Sequence, residues 1–300
     1  AWGAPNQLWV RKILCRYHGV SFDNFCDLPS AVEFLDNWPI ESSNYYGSNV
    51  HLLAGRVDEN GNALYGYTGN YTQPDFYKAI FEVAIIDGSL DETSSRYGMT
   101  VIEYMKYFID TWKSKFSTQS DFWNHPMTNT SSTTVILIYG PETTHALLRI
   151  VYHLWRFGVI SDSELSDYLT WIDTVFRQYI LAQDWSEVTR PEIIALGTFT
   201  PMELMYNNLI KSTNLQTPQN VTIEDLLTII NNFNYPDWGS DYNHDVFYIY
   251  LTNELFGTLI KRSKYPTAGE QITIDAWLKS IVITGDGIEL MPTELPQGVN

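Results

Sequence analysis

The sequence repeats one short pattern that marks the start of a helix. Ser30-Ala-Val-Glu33, Ser161-Asp-Ser-Glu164 and Thr200-Pro-Met-Glu203 each place a hydroxyl side chain three residues before a glutamate. In that spacing the hydroxyl accepts a hydrogen bond from the third helical amide, and the glutamate accepts one from the amide of the hydroxyl residue. Each copy precedes apolar residues at helical spacing, so the pattern predicts a chain built mainly from helices.

Apolar periodicity extends this prediction to a mainly α fold of about nine helices. The clearest stretch is 100–116, where apolar and aromatic side chains repeat at offsets of three and four and so share one face. Short connections in the second half favour antiparallel neighbours, as in a helical bundle or array. The predicted helices cover residues 30–37, 74–86, 100–116, 142–157, 162–182, 201–212, 223–232, 244–262 and 274–283.

Three stretches are expected not to be helical. Asn60-Gly61 lies between two apolar runs and supplies the two positive-φ residues of a tight turn, so one small β-hairpin is expected near residues 50–67. The polar run 117–133 is expected to be an exposed loop or a joint between domains. Residues 134–139 are apolar and precede Gly140-Pro141, a pattern that fits a short buried strand.

The same features suggest a division of the chain. Residues 1–133 form an N-terminal helical region with the hairpin, and residues 134–284 form a C-terminal helical bundle. Residues 285–300 hold two prolines and no helical period, so they are expected to be an extended tail. A single domain that contains both helical regions is the alternative, because the length suits either arrangement.

Composition excludes two classes of partner. The formal net charge is -17 and the isoelectric point is about 4.6. Nucleic-acid binding depends largely on Lys and Arg side chains that neutralise phosphates, so no nucleic-acid partner is expected. No apolar run reaches the roughly 18 residues of a membrane-spanning helix, so no membrane partner is expected either.

Two patterns resemble metal or anion sites but have simpler interpretations. Glu142-Thr-Thr-His145 has the spacing of a di-metal ligand pair, yet Glu142 follows a proline and is therefore expected in the first turn of its helix, where an acid is stabilised without a metal. His145, Arg149 and His153 lie four residues apart on one helix face. A buried arginine needs an acidic partner, so we expect a salt bridge to a neighbouring helix. No metal and no cofactor are predicted.

The segment 233–250 is the main candidate for a binding site because aromatic and acidic residues alternate in it. Aromatic faces with carboxylates suit a sugar, and paired acids could serve in glycoside cleavage. The same residues suit a protein interface, where Tyr and Trp are enriched, or simply a Tyr-rich loop that leads into a core helix. The candidate binding residues are Tyr235, Asp237, Trp238, Asp241, Tyr242, His244 and Asp245.

The function expected from these observations is non-enzymatic. The sequence contains no HExxH, GxSxG, P-loop or strand-associated GxGxxG motif. We therefore expect a structural or assembly protein, for instance a virion or phage structural component, whose partners are other protein subunits. The alternative is an all-α carbohydrate-active enzyme or glycan-binding protein that uses the segment 233–250.

Overall fold

The residues that the computed structural model describes are mainly α-helical, as predicted. It describes residues 8, 29–41, 52–53, 60, 71, 73–126, 128 and 132–184, and residues 202, 203, 205, 206 and 209. The helices are α1 (Ala31–Asn37), α2 (Gln73–Asp87), α3 (Val101–Lys115), α4 (Gln119–Trp123), α5 (Thr133–Arg156), α6 (Asp162–Ile172) and α7 (Gln178–Leu181). A π-helical segment, Asp173–Arg177, joins α6 to α7 without a break.

The total of about nine helices stays a prediction. The predicted helices at 223–232, 244–262 and 274–283 lie outside the described residues. Of the one predicted at 201–212, residues 202, 203, 205, 206 and 209 are described, and all are helical.

Hydroxyl-to-acid capping boxes begin α1 and α6, as the sequence pattern predicts. In α1 the Glu33 amide donates to the Ser30 hydroxyl at 3.1 Å, and the Ser30 amide donates to the Glu33 carboxylate at 2.9 Å. Ser161 and Glu164 make the same pair of bonds. Thr100 with Glu103 starts α3 in the same way, although we did not single it out in the sequence. Thr200 lies outside the described residues.

The prediction of an exposed loop over 117–133 is wrong for the part that forms α4. Thr118 caps this short helix in a box with Asp121, and Phe122 and Trp123 are buried. A helix of five residues is too short for apolar periodicity to appear, and its polar surroundings dominate the local composition. Burial of the two neighbouring aromatic rings in the core stabilises this short helix.

The prediction of a buried strand at 134–139 is also wrong, because α5 runs through it and through Pro141. Pro141 removes one hydrogen bond from the helix. The helix continues because tertiary packing holds it: a Cβ on Gly140 would lie only 3.0 Å from the Trp123 ring and 3.1 Å from Ile180. Glu142 consequently lies in the middle of α5 rather than in a first turn.

The end of α5 follows the sequence pattern. Gly158 adopts a positive φ of 70°, a conformation that glycine accepts without steric cost. The Gly158 amide donates to the Trp155 carbonyl at 3.0 Å, and the Val159 amide donates to the Leu154 carbonyl at 2.9 Å. These bonds satisfy carbonyls that the helix leaves open, so Gly158 forms the C-terminal cap of α5.

Two short strands pair in the described region. β1 (Ile40–Glu41) and β2 (Leu52–Leu53) are antiparallel, with Ile40 opposite Leu53. The Gln73 side chain accepts from the Leu53 amide and donates to the Leu53 carbonyl, both at 3.2 Å. The hairpin near 50–67 stays a prediction, because its other strand lies outside the described residues.

The core is one continuous cluster of buried side chains contributed by α1 to α7. It joins α2 and α3 to α5 and α6, which lie on opposite sides of the predicted boundary at 133/134. The division of the chain into 1–133, 134–284 and 285–300 stays a prediction, since most residues beyond 184 lie outside the described part.

The π-helical segment provides the attachment point for α4. The Gln178 amide donates to the Asp173 carbonyl five residues earlier, which defines the wider turn. The carbonyls of Thr174 and Val175 accept side-chain hydrogen bonds at 2.8 Å, from Gln119 and Trp123 respectively. Both donors belong to α4, so the widened turn and the short helix hold each other in place.

Replacing Thr118 with Ala tests the stability of α4. We expect a loss of about 1 kcal/mol in the free energy of unfolding, because the first turn loses its side-chain acceptor. Equilibrium unfolding in urea measures this change. Ser114→Ala, at an exposed position near the end of α3, is the control and should change stability by less than about 0.5 kcal/mol. Equal effects of the two substitutions would contradict the assignment.

Candidate functional site

A cluster of charged side chains is buried between α2 and α5. Its members, named here the α2–α5 ion cluster, are Asp75, Lys78, Glu82, Arg149 and His153, each at most 3% exposed. The α2 members are three and four residues apart, and the α5 members are four apart, so each set occupies one helix face. Charged side chains are rarely buried unless they are paired, which makes this cluster the most unusual polar feature of the described core.

Glu82 is the centre of the cluster. The Arg149 guanidinium forms a salt bridge with Glu82 Oε1, and His153 Nε2 lies 2.9 Å from the same oxygen. On the α2 side, Lys78 Nζ lies 2.8 Å from Asp75 Oδ1. The side chains of Glu82, Arg149 and His153 are fully buried, so their contacts act in a medium of low dielectric constant.

The surroundings fix the charge state of Glu82. Burial by itself would raise its pKa, but the positive charge of Arg149 and the hydrogen bond from His153 outweigh burial and lower the pKa of Glu82 to about 2. The carboxylate is therefore ionised at neutral pH. Burial is also the largest effect on His153 and lowers its pKa. The hydrogen bond and the negative charge of Glu82 oppose this shift, whereas Arg149 and Lys78 act with burial.

A second buried ion cluster lies on the π-helical segment. Arg177 donates to Glu203 through Nε and Nη2, at 2.8 and 2.9 Å, and through Nη1 to Asp173 at 2.8 Å. Its guanidinium also lies 4.3 Å from the centre of the Tyr206 ring. Glu203 and Tyr206 belong to the helical residues after the undescribed stretch 185–201, so Arg177 connects that later part of the chain to the π-helical segment.

The two clusters shift the pKa values of Glu82 and Glu203 in opposite directions. The pKa of Glu203 is raised, because burial and the negative charge of Asp173 outweigh the hydrogen bonds from Arg177. Burial opposes ionisation of Arg177, but the bonds to Glu203 and Asp173 outweigh it and raise the pKa of Arg177. Two carboxylates thus share the cation at Arg177, whereas Arg149 and His153 both contact Glu82.

Both clusters connect helices to one another. Their charged side chains are buried and form ion pairs with side chains on another helix or on the next turn of the same helix. Among the residues that the structure describes, no three His, Cys, Asp or Glu side chains are grouped so that they could hold a metal ion. No helix in that part of the chain has the length and apolar character needed to span a membrane.

The structure tests only part of the sequence-based site prediction. The expected salt bridge from the His145, Arg149 and His153 stripe to a neighbouring helix is confirmed, with Glu82 as the acidic partner. Sequence reasoning missed Glu82 itself, although an acid on the apolar helix 74–86 was a usable signal. The predicted binding residues Tyr235, Asp237, Trp238, Asp241, Tyr242, His244 and Asp245 all lie outside the described residues.

A comparison with models of protein families, with curated proteins and with solved structures gave no match.

Proposed function

We propose that this chain is a non-enzymatic structural or assembly protein that acts through contacts with other protein subunits, for instance a virion or phage structural component. The observation that supports this proposal most directly is the α2–α5 ion cluster. Glu82, Arg149 and His153 are residue types that enzymes use as acids, bases and anion-binding groups, yet here they are fully buried against one another. Groups placed in this way hold helices together and have no exposed surface for a substrate.

The surface of the described residues favours a contact site elsewhere in the chain. Of the large hydrophobic side chains in this part, only Phe157 and Val159 are exposed, at 44% and 36%. Its other aromatic rings contribute mainly to the core. Interfaces between subunits are anchored by buried Tyr, Trp and Arg side chains. We therefore assign the subunit contacts to the aromatic segment 233–250 and to the tail 285–300.

The oligomeric state of the full chain tests this assignment. We expect light scattering of the native material to give a mass well above the 34.6 kDa of one chain. Removal of residues 285–300 should shift the assembly towards the monomer, because the tail supplies part of the contact. A strict monomer whose mass and stability do not depend on these residues would overturn the proposal.

An all-α carbohydrate-active enzyme or glycan-binding protein is the second candidate. It is favoured by one observation, the alternation of Asp237, Asp241 and Asp245 with aromatic residues in the sequence. The triple variant Asp237→Asn, Asp241→Asn, Asp245→Asn should abolish binding on a glycan array if these acids accept hydrogen bonds from sugar hydroxyls. The absence of any glycan bound by the unaltered chain would remove this candidate.

A further inference from the structure

His153 occupies a buried site that favours its neutral form. Glu82 is ionised and can only accept hydrogen bonds, so the ring nitrogen that contacts it, Nε2, must carry the proton. In the neutral ring the other nitrogen, Nδ1, is then unprotonated. Nδ1 is buried and has no hydrogen-bond partner among the residues that the structure describes.

From this geometry we propose that His153 makes the contact between α2 and α5 sensitive to acid. Protonation of the ring occurs at Nδ1, the only free position. It creates a buried N–H donor without an acceptor in the described core, and it adds a positive charge at the same site. Both changes are unfavourable in a buried environment, so a protonated ring favours the separation of α2 from α5.

The charges around the ring act in both directions. From α2, Glu82 raises the pKa of His153 and Lys78 lowers it, and Lys78 is paired with Asp75. From α5, Arg149 lies against the same carboxylate, and the Tyr152 ring lies 5.8 Å from the imidazole. Among its named members the cluster holds two acids, Asp75 and Glu82, and two bases, Lys78 and Arg149. Protonation of the imidazole adds a third positive charge to these members.

The pH range follows from the pKa of His153, which burial lowers below the ordinary value of 6.5. The proton therefore binds more tightly when the helices are apart than when they are packed. Stability is complete above about pH 6.5 and decreases as the pH falls below it. Within the α2–α5 ion cluster, Glu82 titrates at much lower pH. Glu203, whose pKa is raised, belongs to the other cluster, so a response that His153→Gln removes reports on His153.

Separation of α2 from α5 would also weaken the packing of elements that are hydrogen-bonded to α2. Gln73, at its start, bonds both backbone groups of Leu53 in β2. Asp87, at its end, accepts from the Ala31 amide at the start of α1, at 3.0 Å. Acid would therefore loosen α1, β2 and α2 together, while α3 and α6 keep their mutual contacts. This device does not depend on the proposed assembly function.

Hydrogen exchange on the full chain between pH 8 and pH 5 tests the proposal. After correction for the intrinsic pH dependence of exchange, we expect the opening of α2 amides to increase by up to about ten-fold per pH unit below about 6.5. His153→Gln keeps a donor to Glu82 but cannot be protonated, so its α2 amides should lose this dependence. His125→Gln, at a half-buried histidine outside the cluster, is the matched control and should retain it.

Nitrogen NMR of the imidazole in the unaltered chain gives a second readout that requires no variant. We expect the proton on Nε2 at pH 8 and a midpoint of ring protonation below 6.5. An acid response that is unchanged in His153→Gln would overturn the proposal. A ring that protonates at or above pH 6.5 without any loss of α2 protection would also overturn it.

Discussion

Replacement of Arg149 with Met should lower the free energy of unfolding by about 3–5 kcal/mol, because the change leaves the buried carboxylate of Glu82 without its guanidinium partner. Methionine fills much of the same volume, so the loss reports on charge rather than on a cavity. The second effect is on the pKa of Glu82, which should rise from about 2 once the positive charge is gone. Urea unfolding at several pH values measures both effects.

Two controls separate this explanation from a general loss of packing. The double variant Glu82→Leu, Arg149→Met removes both charges and should recover most of the lost stability, since a buried ion pair is often replaceable by apolar side chains. Lys106→Met removes the cation from the pair with Asp110, whose side chain is 48% exposed, and should cost less than about 1 kcal/mol. If all three variants lost equal stability, the cluster would not be the reason for the effect.

Trp112→Ala should be about as destabilising, for a different reason. Trp112 is fully buried in α3, and its ring centre lies within 4.9–6.1 Å of the rings of Phe108, Phe116 and Phe122. Truncation of a buried aromatic side chain typically costs about 3–5 kcal/mol, because it removes apolar contacts and leaves a cavity. The near-ultraviolet circular dichroism should weaken as well, since the ring packs among other aromatic rings.

Phe157→Ala provides the comparison for Trp112→Ala. The Phe157 side chain is 44% exposed just after α5, so its truncation should change stability by less than about 0.5 kcal/mol. Calorimetry or urea unfolding of the two variants measures the difference. A loss below 1 kcal/mol for Trp112→Ala would mean that the ring is not packed in the core as described.

The buried position of the charged residues is also relevant to the proposed function. The buried cluster around Glu82 connects α2 to α5, and the one around Arg177 connects the π-helical segment to the helical residues near 203. An assembly protein needs a rigid body that presents contact segments to its partners, and such ties provide rigidity. The proposed contact segments, 233–250 and 285–300, are inferred from the sequence, and oligomeric state and glycan binding test them.

The sequence alone determined where several helices begin and end. Ser30 with Glu33 and Ser161 with Glu164 satisfy backbone donors within one turn, and Gly158 accepts a positive φ, so these signals need no tertiary context. Helical periodicity in 100–116 and 74–86 is local in the same sense. The sequence also predicted that a buried arginine would have an acidic partner, because desolvation of an unpaired charge is unfavourable in any fold.

Tertiary structure alone decided the remaining features. Residues 134–139 look like a strand in isolation, and only the packing of Gly140 against Trp123 and Ile180 keeps them in α5 beyond Pro141. The short helix α4 forms because its aromatic rings and side-chain donors meet the π-helical segment. The choice of Glu82 as partner depends on how α2 lies on α5. Local signals fix a helix, but contacts between residues far apart in sequence select its neighbours and its exceptions.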